Sequence, residues 1–291
     1  MDIDQAYRIF NLKSEASDEE IVRTYKKLAM RFHPDRNRER PEWANKTMSE
    51  LNNAYSDIMA FRFRRSSGNE TADQGTTDEE RFSDFRDDAG KNRKPPSGRA
   101  ASVKRRPGRD ELIDRFARIK DASNSVLYKF FQYSLYNMAR RDTPANEIIF
   151  KRIVKTLRNG YHACVSFEEM TDDPELKEHF RVFREMLYNF YLASECVNRI
   201  DSYMSRYNVD AYREYRKGDE YLHRAHREIF YDRHNRGSFK GAFAMGELIR
   251  AESVLSDTLK RYRNSSWAVE AGIKLNYAAA LREYLNLFFT E

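Results

Sequence analysis

Three consecutive residues, His33-Pro34-Asp35, set an imidazole and a carboxylate two positions apart around a proline. Side chains of these types could share acid–base work, hold a metal ion, or simply shape a turn. Acid–base catalysis needs more than the pair, and neither a nucleophile nor a Gly-rich phosphate loop stands around them. Metal binding needs further ligands, and no second His or Cys lies close by in sequence. The third needs only a turn. Pro34 favours that turn by disfavouring helix at the residue before it. Cations precede the turn at Arg23, Lys26, Lys27 and Arg31, and Arg36 follows it. A basic face of this kind is ordinarily a solvated one, and the pattern by itself names no partner. It predicts no catalytic residue, no cofactor and no metal centre.

Such a turn must be held by packed helices. Ser17-Asp18-Glu19-Glu20 has the form of a capping box, in which the Ser17 hydroxyl accepts a free backbone N–H and Glu20 reaches back to the cap. The helix it opens runs from Ile21 to Phe32. Ile21, Tyr25 and Leu28 fall on one side, and Arg23, Lys26, Lys27 and Arg31 fall largely on the other, as an amphipathic helix requires. A following helix carries Ala44, Met48, Leu51, Ala54, Tyr55 and Ile58 on one face.

By these residues the chain resembles the J-domain of the DnaJ co-chaperone family. The resemblance covers roughly residues 4–60, with Tyr7 to Leu12 as the first helix and its exit, Glu20 to Asn37 as the second helix and loop, and Ala54-Tyr55 in the third. It implies a partner, a DnaK-type ATPase chaperone. In the family the basic face of the second helix meets an acidic patch on the partner's ATPase domain. The loop carboxylate meets an arginine near the link between the partner's domains, and ATP hydrolysis follows. Carried onto this chain, the resemblance makes Asp35 the switch contact, with His33 and Pro34 shaping the loop. Arg23, Lys26, Lys27 and Arg31 become contact charges, and Arg36 a helper. A row of cations raises the encounter rate in a salt-sensitive way, while a placed carboxylate–guanidinium pair gives specificity.

The chain departs from the family at two places. Asn11 stands where the family usually has Gly, and Asn tolerates left-handed geometry. Met59 to Arg65 replaces the usual short fourth helix and is expected to prolong the third, with Phe61 or Phe63 folding back on the core. No Gly/Phe-rich segment and no zinc-binding cysteine repeat follows. The chain is thus similar to the class that keeps only a J-domain and attaches it to an unrelated domain.

Composition divides the 291 residues into a J-domain at 1–65, a charged linker at 66–108 and a third part at 109–291. The middle stretch holds few apolar residues and is expected to be disordered. Its first half is acidic and its second basic, with one aromatic patch, Arg81-Phe82-Ser83-Asp84-Phe85. Residues 109–291 repeat apolar side chains at three- and four-residue steps, which predicts an all-α bundle of about six helices. Expected boundaries include a break near Ser123-Asn124, a start at Thr143-Pro144, an end at Asn159-Gly160 and a start at Asp173-Pro174. Asp210 is expected to cap a fourth helix ending by Gly237, and Ser265 or Ser266 the last. Small residues in the last two helices are faintly similar to a tetratricopeptide-like pair, without a repeat at fixed period.

Net charge is +6, from 52 basic and 46 acidic residues, so the chain is no polycation. Tyr203, Tyr207, Tyr212, Tyr215, Tyr221 and Tyr231 alternate with arginines, a mixture that could stack bases and bind phosphates. Acidic residues in the same stretch argue for a solvated face instead. His223, His226 and His234 lack a metal motif, and Cys164 and Cys196 suit a reduced helical core. The first residues lack the charged and apolar regions of a signal peptide, and no apolar run approaches the ~20 residues of a membrane span. A cytoplasmic co-chaperone is expected, with residues 109–291 recruiting a client or setting location. The alternatives are a scaffold or assembly protein, or a nucleic-acid-associated helical protein, that uses the J-domain for docking.

Overall fold

The structure, a computed structural model, describes residues 2–32, 37, 39–65, 107–196 and 206–289. Outside the described residues lie His33, Pro34, Asp35 and Arg36, and the expected linker apart from Pro107 and Gly108. Among the described residues every regular element is a helix.

The first three helices are α1 (Ile3–Phe10), α2 (Asp18–Phe32) and α3 (Pro41–Arg65). Helix α1 ends on Asn11 at φ +52°, the left-handed geometry its side chain tolerates. There the Asn11 and Leu12 N–H groups donate to the Arg8 and Tyr7 carbonyls. Ser17 precedes α2, and its Oγ accepts the Glu20 N–H at 3.2 Å, so half of the capping box is formed. Helix α3 runs on to Arg65 with no separate fourth helix before residue 66. Phe63 is fully buried while Phe61 stays half-exposed.

Beyond residue 107 come α4 (Arg109–Gln132), a short α5 (Met138–Arg141), α6 (Pro144–Met170), α7 (Pro174–Ser194) and α8 (Arg206–Arg227). A π-helical turn (Glu228–Asp232), α9 (Arg233–Arg236), α10 (Gly241–Arg261) and α11 (Ser266–Phe289) complete the bundle. Among the described residues of this part six long helices are present, as the apolar periodicity predicts. Several starts follow their caps. Asp173 accepts the N–H groups of Glu175 and Leu176 at 2.9 and 3.4 Å, Ser265 Oγ accepts that of Trp267 at 3.3 Å, and Gly237 closes α9 at φ +72°. Thr143 occupies the cap position of α6, but its hydroxyl donates back to the Arg140 carbonyl.

Three expected boundaries are corrected. Helix α4 passes unbroken through Ser123-Asn124, and α6 passes unbroken through Asn159-Gly160. The two places meet. A Cβ on Gly160 would lie 3.0 Å from both Ser123 Oγ and Leu187 Cδ1. Gly160 lets helices approach closely, and that packing outweighs the ~1 kcal/mol its helix propensity costs. Asp210 lies inside α8, which starts at Arg206, and its carboxylate pairs with Arg213.

Aromatic rings dominate the bundle core. Phe116 meets Phe180 and Phe183 edge-on at 5.0 and 5.4 Å, and Phe130 meets Phe190 at 5.1 Å, the geometry ring quadrupoles favour. A second core joins Tyr7, Phe10, Ile21, Tyr25, Leu51, Tyr55 and Phe63 of the first three helices, and Tyr191 of α7 belongs to it.

Candidate functional site

Helices α2 and α3 form an antiparallel hairpin, as its cross-contacts show. Arg62 Nε donates to Asp18 at 2.5 Å, Tyr25 OH donates to Asn52 Oδ1 at 2.9 Å, and Phe32 meets Trp43 edge-on at 5.7 Å. Partners from the start of α2 lie at the end of α3, and those from its end lie at the start of α3. Phe32 and Trp43 therefore mark the tip, and the sequence joining them carries His33, Pro34, Asp35 and Arg36. Asn37 closes back on the tip, its Nδ2 donating to the Arg31 carbonyl at 3.0 Å. Phe10, Tyr25 and Tyr55 stack within the hairpin, Tyr25 on Tyr55 at 4.4 Å.

The apolar side of α2 is thus consumed by packing. Ile21 and Tyr25 are buried, whereas Arg23, Lys26, Lys27 and Arg31 are all exposed. Their spacing keeps them on one stripe running toward the tip. Met30, 60% exposed, and Trp43, 48% exposed, add apolar surface near that end. A charged stripe on one side of a rigid hairpin can meet an acidic surface without rearranging its core.

The other candidates are placed differently. Two tyrosines of α8 point inward, Tyr215 fully buried and stacked on Trp267 at 5.2 Å and Tyr212 meeting the same ring at 4.7 Å, while Tyr207 is exposed. Arg224 reaches the buried Glu247 at 2.6 Å, Arg236 reaches buried Glu228 at 2.5 Å, and Arg227 pairs with Asp232. Arg233 lies over Phe289 at 4.8 Å. Arg199 and Tyr203 lie outside the described residues.

His226 is buried among Phe130, Phe131, Phe190 and Tyr277. Burial holds its imidazole well below the usual histidine range, so it is neutral at pH 7. No cluster of three metal-ligating side chains occurs among the described residues. Burial pushes the Cys164 thiol up to about 12, far from a reactive thiolate. A cavity of about 570 Å³ opens beside His226, His223, Tyr277, Arg216 and the Asp219–Lys274 ion pair. Sequence reading missed that ion pair, because its partners sit on helices far apart in the chain.

Sequence reading also missed the contacts between α3 and the bundle. Phe63 stacks on Tyr191 at 4.6 Å and meets Tyr161 and Tyr188 at 5.2 and 5.6 Å. Tyr55 OH donates to Glu195 Oε2 at 3.2 Å. No local pattern pairs residues 63 and 191; the only signal was an extra aromatic residue beyond Ile58.

Comparison with known proteins bears on the same hairpin. The family model described as DnaJ domain matches residues 5–65. The chain is 36% identical over 69 residues to DnaJ protein ERDJ3B of Arabidopsis thaliana, covering 24% of this chain and 19% of that protein. It is 42% identical over 53 residues to DnaJ homolog subfamily C member 5 of Tetronarce californica, covering 18% of this chain and 27% of that protein. It is 41% identical over 60 residues to DnaJ homolog subfamily B member 8 of Mus musculus, covering 21% and 26%. The chain thus spans between about a fifth and about a quarter of the length of these relatives. No solved structure matches it. No described helix is long and apolar enough to cross a membrane.

Proposed function

Residues 5–65 being a DnaJ domain, we propose that the chain is a co-chaperone that binds a DnaK-type ATPase chaperone and stimulates its ATP hydrolysis. The observation that carries this reading is the exposed stripe of Arg23, Lys26, Lys27 and Arg31, aligned toward the hairpin tip that bears His33-Pro34-Asp35. The stripe supplies steering toward an acidic surface, and its strength falls with salt. Asp35 supplies one placed carboxylate for a guanidinium of the partner, and Arg36 reinforces the contact. His33 and Pro34 shape the loop that holds that carboxylate. Residues 1–65 are assigned to this module and residues 109–291 to a helical domain that recruits a client or sets location. The chain itself performs no covalent chemistry in this scheme; the hydrolysed bond belongs to the partner's nucleotide.

The nucleic-acid alternative draws little from α8, where Tyr215 is buried and Arg213, Arg216, Arg224 and Arg227 are paired with carboxylates. Immobilised full-length chain is expected to capture an ATP-loaded DnaK-type chaperone in a salt-sensitive manner. Asp35→Asn is expected to abolish that capture with the melting temperature unchanged. Equal capture by both chains would reject the reading.

A further inference from the structure

The bundle meets the hairpin at its base and again further along α3, where α11 packs against it. Phe63, fully buried, is enclosed by Tyr161, Tyr188 and Tyr191. Arg64 donates to Tyr188 OH at 2.6 Å and lies over the same ring at 5.1 Å. Asp18, already bonded to Arg62, also lies 3.8 Å from Arg158. The Arg158 guanidinium in turn lies 5.9 Å from the centre of the Phe63 ring. These groups sit at the base of the hairpin, where α2 starts and α3 ends.

A second contact lies further along. Tyr55 bonds to Glu195, and a cavity of about 30 Å³ separates Tyr25, Asn52 and Met59 from Glu195 and Glu270. That is room for about one water among polar groups able to hold it. Beyond Asn52, α3 extends eleven residues back toward Pro41 at the tip. At 1.5 Å per residue the tip projects roughly 15 Å past the last of these contacts.

We propose that the bundle grips the hairpin by its base, with Phe63 as the anchor, and so presents the tip and the basic stripe in one fixed direction. The occupant of the tyrosine pocket is the last turn of α3, beyond Ile58. Three features make the grip specific. A buried ring fits a three-tyrosine wall, as aromatic clusters favour. Each side supplies a cation to the other's ring, Arg64 over Tyr188 and Arg158 over Phe63. Asp18 ties Arg62 of the hairpin to Arg158 of the bundle. The stripe of α2 stays exposed in this gripped state, so a partner can bind it without displacing the bundle. The residues between 65 and 107 then join two elements already held by direct contact, and their length does not set the reach between hairpin and bundle.

The functional side of this inference rests on the co-chaperone reading, but its test does not. Spin labels on unnatural residues at exposed Lys46 of α3 and exposed Ser253 of α10 report the distance between hairpin and bundle in the full chain. A single narrow distance is expected for the native sequence, a broad distribution for Phe63→Ser, and partial broadening for Arg64→Ala. Arg64 is exposed, so its truncation leaves both cores intact. A broad distribution in the native sequence overturns the proposal, as does a peak that Phe63→Ser leaves narrow.

Discussion

The hairpin and the bundle both carry many charges, and they use them in opposite ways. In α2 the cations stand in solvent on one side while the core behind them is apolar and aromatic. In the bundle several carboxylates turn inward: Glu247 and Glu228 are buried beneath Arg224 and Arg236, and Asp219 meets Lys274 at 2.5 Å. The contrast teaches that charge density is no guide to a binding face. A charge already paired with a buried partner has little field left for a visitor, whereas a solvent-facing row keeps its reach.

Glu270 tests the bundle's side of this contrast with the largest expected effect. Burial pushes its carboxyl up to about 7, above the ordinary 4.5. A carboxyl that holds its proton more tightly when folded favours folding fully below pH 4.5, and that contribution fades as the pH rises toward 7. Above that range the buried charge costs on the order of 3 kcal/mol. Glu270→Gln is therefore expected to raise the melting temperature at pH 8 and to leave it near native at pH 5. An equal shift at both pH values would mean that Glu270 is not a buried ionisable group.

Close packing between α8 and α10 gives the next effect. A Cβ on Gly218 would fall 2.7 Å from Leu255 Cγ. Gly218→Ala is expected to destabilise by about 1–3 kcal/mol from overpacking, less up to ~1 kcal/mol of gained helix propensity. Thermal unfolding measures the difference, and a stabilised variant would show that the interface has slack. On the hairpin, Lys26→Glu with Lys27→Glu should leave the melting temperature unchanged. It should weaken binding of a DnaK-type chaperone about tenfold, on the order of 1.4 kcal/mol, and flatten its salt dependence. The matched reversal Arg213→Glu with Arg216→Glu on α8 should leave that binding alone. If both pairs act equally, the contrast between hairpin and bundle fails.

What the sequence discloses follows the same division. The capping residues Ser17, Asp173 and Ser265 and the left-handed Asn11 act within one turn of chain, the stripe of α2 rests on the period of a single helix, and each stands where local chemistry puts it. Gly160 was misread as a terminator because the same residue type serves a helix end and a close helix crossing. Only the positions of Ser123 and Leu187 tell the two apart. Asp210 was misread for a related reason, since an Asp early in a helix looks like a cap until the helix is seen to start before it. The grip on Phe63 was out of reach, because its tyrosines follow about a hundred residues or more later, on two different helices. The helix count survived these errors because it rests on apolar periodicity, which single boundary residues do not alter.

The central claim concerns the tip, and one measurement meets it directly. The ATP turnover of a DnaK-type chaperone is followed as full-length chain is added, native against Asp35→Asn, both checked for equal melting temperature. A saturable rise in turnover with the native chain, and none with Asp35→Asn, is the predicted result. Turnover unaffected by the native chain, or raised equally by both, would contradict the account.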